Sequence, residues 1–181
     1  MGTVQKILPH YTIEDWERWE GKWELIEGHP IAMSPTPVPE HQRVAAELRT
    51  ELILALRHAK CSRCKAFDPV DYVISNDTIL VPDILIVCGN IRKKYLDFPP
   101  ALVVEVLSPS TALRDRNTKY QLYEQQGVRY YLIVDIELKK IEVYELVNGN
   151  FIRREDETYY TFHLENDCQI TPDFSAIFEA S

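Results

Sequence analysis

The hydrophobic positions of this chain form one long helical stripe and a series of shorter runs. The stripe covers residues 40–59, where apolar side chains recur at helical spacing. Its members are Val44, Leu48, Leu52, Ala55 and Leu56. A second helix is predicted over residues 112–126, because Gly127 ends the helical pattern there. Shorter helices are predicted over residues 12–20 and 172–179.

The shorter apolar runs have the length and composition of β-strands. They cover residues 23–27, 30–33, 67–74, 79–87, 101–107, 129–136, 139–146, 151–154 and 159–164. Turn residues at 75–77 and 148–150 separate neighbouring runs and predict hairpins. The order of strand, helix and strand over residues 101–136 predicts a parallel pair joined by a right-handed crossover. The pattern predicts an α/β fold with a mixed central sheet flanked by helices and antiparallel hairpins at the edge.

Length and charge narrow the class of protein. A chain of 181 residues fits a single domain, residues 1–181, and its net charge of -8 argues against a protein that coats nucleic acid through a basic surface. No apolar run approaches the roughly 18 residues that span a membrane, and the first residues carry no secretory signal. We therefore expect a cytoplasmic protein that does not contact membranes.

Basic residues nevertheless gather in two short segments. The first holds Arg57, His58, Lys60, Arg63 and Lys65, and the second holds Arg92, Lys93 and Lys94. Each cluster is either a solvated surface or a local patch that offsets the negative field of the whole protein.

The four cysteines raise the question of a metal or redox site. Cys61 and Cys64 form a C-x-x-C pair with His58 three residues upstream, while Cys88 and Cys168 stand apart. No second pair completes a zinc pattern, and a redox motif usually follows a strand rather than a helix. Reduced, free thiols are the expectation.

Two acids interrupt the apolar strands. Asp83 follows Pro82 in one strand, and Glu105 lies mid-strand between Val104 and Val106. A buried carboxylate is costly unless it is paired or holds a metal. Two such acids with Lys119 on the following helix indicate a divalent-metal hydrolytic site.

Mg²⁺ takes oxygen ligands from one or two carboxylates, substrate phosphate and water. Asp83 and Glu105 provide that pair, and the backbone carbonyl of Val106 is a candidate third ligand. The competing interpretation is that Glu105 is a satisfied core acid.

The helix that follows adds three residues at helical spacing. Asp115, Lys119 and Tyr123 are spaced i, i+4 and i+8 and lie on one helical face. An ordinary surface Asp–Lys pair is the alternative. His41, near the start of the long helix, is predicted to face the sheet, and Asp71 is the odd acid in an apolar strand.

A set of longer motifs runs through most of the chain, from about Tyr11 to Phe178. They are Trp-Glu-Leu-Ile-Glu-Gly at 23–28, Met-Ser-Pro at 33–35, Glu-His-Gln-Arg-Val at 40–44, Pro-Asp-Ile at 82–84, Val-Val-Glu-Val-Leu-Ser-Pro-Ser-Thr at 103–111, then Asp115, Lys119 and Tyr123, and Gly-Val-Arg-Tyr-Tyr-Leu-Ile-Val-Asp at 127–135. With these motifs the chain resembles the Uma-type restriction-endonuclease family, within the P-D…(D/E)-x-K nuclease superfamily.

The resemblance implies a restriction-endonuclease-like core and hydrolysis of phosphodiester bonds with Mg²⁺ or Mn²⁺. It implies Asp83 and Glu105 as metal ligands and catalytic residues. The superfamily expects its lysine where Leu107 stands, so the resemblance points to Lys119 as the migrated catalytic lysine. It further implies supporting roles for His41, Asp71, Asp115 and Tyr123.

Three functions remain open. The first is a DNA endonuclease that works as a homodimer, because cutting two strands needs two sites. The second is a non-catalytic nucleic-acid-binding or regulatory protein on the same fold, favoured by the acidic balance and Leu107. The third is a metal-dependent hydrolase of a small phosphoester. Asp83, Glu105 and Lys119 together favour an enzyme.

Overall fold

The computed structural model describes residues 8–33, 38–155, 159–165 and 167–179. Its strands are β1 (Trp23–Ile26), β2 (His29–Ala32), β3 (Cys64–Phe67), β4 (Tyr72–Ser75), β5 (Thr78–Leu80), β6 (Ile84–Cys88), β7 (Leu102–Val106), β8 (Tyr130–Asp135), β9 (Lys140–Val147), β10 (Asn150–Arg154), β11 (Phe162–His163) and β12 (Gln169–Ile170). Its helices are α1 (Ile13–Trp16), α2 (Pro39–His58), α3 (Ala112–Arg114), a π-helical turn (Asp115–Lys119) and α4 (Tyr120–Gln125). Ser34 and Pro35 of the Met-Ser-Pro motif lie outside the described residues.

A six-stranded mixed sheet forms the centre, in the order β10-β9-β8-β7-β6-β3. β7 and β8 are parallel, as the sequence predicts, and the other neighbours in this sheet are antiparallel. β6 and β7 are buried along their whole length, as is typical of near-continuous apolar strands covered on both faces. The predicted α/β class with a mixed central sheet is confirmed.

The two faces of the central sheet are covered by different helices. Leu102 and Val104 pack with the buried stripe of α2 on one face. Val103 and Leu107 pack on the opposite face, with Tyr123 of α4. Since side chains alternate across a strand, Glu105 projects to the face that carries the helix of Lys119.

A smaller antiparallel sheet, β2-β1-β5-β4, lies beside the centre. It arises because the two predicted strands 67–74 and 79–87 are each divided in two. Pro69 lies in the first break and Pro82 in the second, and proline offers no N–H to a ladder. The single predicted hairpin is therefore two pairings, β4 with β5 and β3 with β6.

The short terminal helices were over-predicted. The helix predicted over residues 172–179 is wrong, because Ile177 and Glu179 make only turn hydrogen bonds, to the carbonyls of Phe174 and Ala176. Phe174 and Ile177 are buried in the core, so packing rather than a helical ladder holds this segment. The helix predicted over residues 12–20 is reduced to the four residues of α1.

The expectation of free thiols is also wrong. Disulfides join Cys61 to Cys168 and Cys64 to Cys88. Cys64 and Cys88 are directly opposite in the antiparallel pair of β3 and β6, with Cα atoms 4.0 Å apart. Their pairing depends on the register of two strands, which the spacing of cysteines along the chain does not contain.

Candidate active site

A buried lysine lies among three carboxylates between the two sheets. The Nζ atom of Lys119 is 2.7 Å from Oε1 of Glu24, 3.0 Å from Oε1 of Glu105 and 3.4 Å from Oδ1 of Asp115. All four side chains are at most 4% exposed. A charged group buried this deeply needs opposite charge beside it, so the cluster is an electrostatic unit.

Asp115 and Lys119 both point inward from the π-helical turn. Both are buried residues of this turn, which is widened to i→i+5 hydrogen bonding. The hydroxyl of Tyr131 on β8 donates to the backbone oxygen of Asp115 at 2.9 Å, which fixes the turn on the sheet. Single π-helical turns of this kind occur often at functional sites.

Glu105 is held by two donors on one of its oxygens. Lys119 Nζ donates to Oε1, and the hydroxyl of Tyr123 donates to the same atom at 2.7 Å. Burial raises the pKa of Glu105 well above its ordinary value, and the nearby carboxylates of Asp115 and Asp83 add to this, while Lys119 acts in the opposite direction.

The lysine stays charged in this setting. Burial alone lowers the pKa of Lys119, but Glu105, Glu24 and Asp115 together outweigh it, so the pKa lies above its ordinary value. Burial likewise raises the pKa of the Asp115 carboxyl. Three carboxylates around one ammonium leave a surplus of negative charge, which a proton or a cation can offset.

Asp83 lies at the open side of the cluster. It sits in the bend between Pro82 and β6, where the proline interrupts the strand. The N–H of Val106 donates to Asp83 Oδ2 at 2.8 Å, and the side chain is 22% exposed. The carboxylate therefore reaches solvent beside the end of β7.

His41 closes this side of the site. It lies in the first turns of α2, and its Nε2 atom is 2.9 Å from the carbonyl oxygen of Val106 and 3.5 Å from Asp83 Oδ2. The hydrogen bond with Asp83 raises the pKa of His41, which favours the protonated ring. The prediction that His41 faces the sheet is confirmed, and the Val106 carbonyl is engaged by the imidazole.

The carboxylate oxygens of Asp83 and Glu105 are the candidate ligands for a hard cation such as Mg²⁺. The contacts of Asp83 use Oδ2 and those of Glu105 use Oε1, so Oδ1 and Oε2 have no hydrogen bond from the described residues. Mg²⁺ binds such sites through one or two carboxylates and keeps several waters. No group of three or more His, Cys, Asp or Glu side chains in the described ranges is arranged to hold a metal by itself. The two free oxygens fit a water-rich Mg²⁺ or Mn²⁺ site.

Glu24 is a member of the cluster that sequence reasoning missed. The N–H of Val81 donates to its Oε1 at 3.0 Å, while Oε2 has no hydrogen bond in the described structure and lies 3.6 Å from Nε of Arg114. The signal was available, since Glu24 stands between Trp23 and Leu25 as Glu105 stands between two valines. An acid in an apolar strand marks both.

Asp71 lies outside this cluster. It lines a separate recess of about 470 Å³ together with Trp16, Trp23 and Tyr95. Burial raises the pKa of Asp71, and the nearby charges of Lys22 and Lys94 act against that shift. The structure thus brings together His41, Asp83, Glu105, Asp115, Lys119 and Tyr123, and leaves Asp71 elsewhere.

The fold of this chain has a counterpart among solved structures. The overall structure is similar to a solved structure from Anabaena variabilis ATCC 29413, described as a "putative nuclease belonging to DUF820", with a TM-score of 0.72 and 18% identity over 92% of this chain and 97% of the other. The class that this similarity defines is the mixed α/β fold that the two proteins share.

A family model described as "Uma2: Putative restriction endonuclease" matches residues 11–177, so the chain belongs to the Uma2 family. A curated relative is "Uncharacterized protein slr1290" of Synechocystis sp., 29% identical over 142 residues, which are 77% of this chain and 74% of the relative. None of the helices in the described parts combines the length and hydropathy that a membrane crossing requires.

Proposed function

We propose that this chain is a metal-dependent endonuclease that hydrolyses phosphodiester bonds of DNA. Membership of the Uma2 family supports a nuclease-like function in general. The single observation that supports the finer proposal is the position of the two acids at one end of the β6–β7 pair. Asp83 is held there by the N–H of Val106 and Glu105 by the buried Lys119, and each has one oxygen without a hydrogen bond from the described residues.

Asp83 and Glu105 are the proposed ligands of Mg²⁺ or Mn²⁺, with the Val106 carbonyl as a third if His41 releases it. The metal ion, when bound, lowers the pKa of a water and offsets the charge of the scissile phosphate. Val106 N–H holds Asp83 in the orientation that this requires, and Tyr123 holds Glu105. Hydrogen bonds that neighbouring groups make to metal ligands fix the orientation of the ligands and tune their basicity.

The role proposed for Lys119 follows from its burial. Its Nζ contacts three carboxylates and its side chain is 4% exposed. The Lys119 ammonium therefore lowers the pKa of Glu105 against the effect of burial and holds its carboxyl group in place. A direct contact between Lys119 and the phosphate requires one of its ion pairs to break. His41, at the open side of the site, is more exposed than Lys119. The nearby Asp83 raises the pKa of His41 and so favours its protonated, cationic form.

The proposal is tested by incubating plasmid DNA and single-stranded DNA with the purified chain and Mg²⁺ or Mn²⁺. Asp83→Asn and Glu105→Gln are expected to abolish cleavage, while Asp71→Asn is the matched control because its carboxyl lies in another recess. Loss of cleavage in Asp83→Asn and Glu105→Gln, with cleavage retained in Asp71→Asn, supports the metal site. Equal cleavage by wild type and Asp83→Asn would overturn it.

A non-catalytic nucleic-acid-binding protein is the second candidate. The observation that favours it is that Lys119 is surrounded by acids, while Leu107 stands where the superfamily expects a lysine. DNA binding without cleavage under every metal condition supports this candidate. A homodimer is part of the first proposal, since double-strand cleavage needs two sites, and light scattering with and without DNA measures it.

A further inference from the structure

One end of this acidic protein holds a basic cavity. A recess of about 600 Å³ lies between residues 62–65, around the start of β3, and residues 89–98, after β6. The charged side chains that line it are Arg63, Lys65, Arg92, Lys93 and Asp97. The two basic segments seen in the sequence therefore meet here, with four cations to one acid, in a chain of net charge -8.

Three of these cationic side chains have no polar partner among the described residues. Many basic side chains elsewhere are ion-paired, such as Arg43 with Glu40 and Arg116 with Glu142. Arg63, Lys65 and Arg92, by contrast, make no ion pair and no side-chain hydrogen bond with any described residue. Only Lys93 is paired within the recess, with Asp97 at 2.8 Å. Cations collected in a concave site raise the local concentration of anions.

The walls of the cavity are fixed before any ligand arrives. The disulfide between Cys64 and Cys88 cross-links the two strands from which the cationic segments leave. The N–H of Gly89 donates to the carbonyl oxygen of Arg63 at 3.0 Å, directly beside that disulfide. A site whose backbone is already ordered loses less conformational entropy on binding, so it binds more tightly for the same contacts.

We propose that this cavity binds the phosphodiester backbone of nucleic acid through Arg63, Lys65 and Arg92. The planar guanidinium of arginine donates two parallel hydrogen bonds to a phosphate, which suits it to this ligand. The half-buried ring of Phe98 also lines the cavity and offers a base a surface to stack on.

The cavity is an anchor, separate from the acid cluster. Asp83 immediately precedes β6 and Gly89 immediately follows it, so the two sites lie at opposite ends of one strand. At about 3.3 Å per residue the separation is about 20 Å. This distance corresponds to about six base pairs of B-form DNA. The anchoring role rests on the proposed cleavage site, whereas the binding itself does not.

The lining favours nucleic acid over an anionic membrane. A surface that binds a bilayer presents apolar side chains beside its cations. The large exposed apolar side chains in the described structure are Leu8, Val38, Leu54, Leu113, Leu138, Ile152 and Tyr159, and none of them lines this cavity. A concave recess also fits a nucleic-acid strand better than it fits a flat lipid surface.

The binding test uses a labelled 20-nucleotide DNA, single-stranded or duplex, in fluorescence anisotropy without divalent metal, so that no cleavage occurs. Arg63→Gln/Arg92→Gln is expected to weaken binding about tenfold and to reduce the salt dependence by about one phosphate contact per arginine. Arg92→Gln alone is compared with Arg18→Gln, which removes an exposed cation elsewhere and is expected to leave the affinity unchanged. Unchanged affinity in the double variant overturns the proposal, and so does preferential binding to phosphatidylserine vesicles.

Cleavage assays separate this proposal from the proposed function. DNA binding that depends on Arg63 and Arg92 but gives no cleavage with Mg²⁺ or Mn²⁺ keeps the cavity and overturns the nuclease. If the chain cleaves DNA but its DNA affinity does not depend on Arg63 or Arg92, the nuclease is supported and the cavity proposal is overturned. If the anchor serves cleavage, the double variant cuts long DNA more slowly than wild type does, but cuts equally a duplex shorter than about six base pairs.

Discussion

Lys119 lies closer to Glu24, at 2.7 Å, than to Glu105, at 3.0 Å. Glu24 belongs to β1 in the smaller sheet, whereas Glu105 belongs to β7 in the central sheet. The ammonium group therefore bridges the two sheets, and the position of Glu24 sets how strongly the lysine acts on Glu105.

Glu24→Gln removes one negative charge and keeps an oxygen that can accept from Val81. Because Lys119 then loses its closest anion, we expect metal-dependent cleavage to fall by about tenfold or more, as for other partners that orient metal ligands. The apparent Mg²⁺ affinity, read from cleavage rate against metal concentration, is the measurement. Glu51→Gln on α2 is the control, and unchanged metal dependence in Glu24→Gln contradicts the prediction.

Lys119→Met leaves three buried carboxylates without their cation. Breaking a buried ion pair in this way costs about 3–5 kcal/mol of unfolding free energy. The loss depends on pH with a definite sign. The pKa values of Glu105 and Asp115 are raised in the folded state, so folding binds protons and their contribution to stability falls as pH rises above the unfolded pKa values.

Removing Lys119 raises these carboxyl pKa values further, so the deficit relative to wild type is expected to grow between about pH 5 and about pH 7.5. Urea denaturation of both proteins at the two pH values measures it. Lys93→Met, which removes an exposed ion pair, is the control. A deficit that is independent of pH would show that the acids are not the source.

The two disulfides contribute unequally to stability because they close loops of different length. Cys64→Ser/Cys88→Ser opens a separation of 24 residues, and we expect a loss of about 3 kcal/mol in unfolding free energy. Cys61→Ser/Cys168→Ser opens a separation of 107 residues and is expected to cost about 4–5 kcal/mol. Urea denaturation with and without dithiothreitol is the measurement, and wild type that does not respond to the reductant contradicts both disulfides.

Gly28 and Gly149 provide a matched pair of backbone variants. Both have positive φ, +77° and +84°, so an alanine at either position costs about 1–2 kcal/mol of strain. A Cβ at Gly28 also overlaps the ring of His10, whereas a Cβ at Gly149 meets nothing within 4 Å. Gly28→Ala is therefore expected to destabilise more than Gly149→Ala does.

His10→Ala tests the source of that excess. In the His10→Ala background, Gly28→Ala is expected to cost no more than Gly149→Ala, because the ring that meets the new methyl group is gone. Thermal denaturation of the single and double variants measures this, and an excess that persists without His10 rules out the ring as its cause.

The parallel pair of β7 and β8 was predictable because it depends on local signals. The same holds for the two acids, Glu105 within β7 and Asp83 just before β6. A continuous apolar run predicts a buried strand. An acid inside such a run, such as Glu105, indicates a candidate site residue wherever it stands in the run. Glu24 carries the same signal on a shorter strand, between Trp23 and Leu25, and was therefore predictable on the same grounds.

Other features depend on three-dimensional register or on competition between local preferences. Whether Cys64 pairs with Cys88 is decided by how β3 aligns with β6, which requires the folded sheet. The apolar runs at 67–74 and 79–87 look continuous, and only Pro69 and Pro82 signal that each divides between two sheets. The π-helical turn depends on packing of Asp115 and Lys119, since helical periodicity alone predicts an ordinary α-helix there.

The bridge that Lys119 makes between the two sheets has a consequence for local opening. Separating β1 from the central sheet requires the buried Glu24–Lys119 ion pair to break. It also exposes the N–H of Val81, which donates a hydrogen bond to Glu24. The smaller sheet therefore cannot open as an independent unit at low free energy. Amide hydrogen exchange at Val81 is expected to follow that of Val106, so that both sheets open and close in one cooperative event.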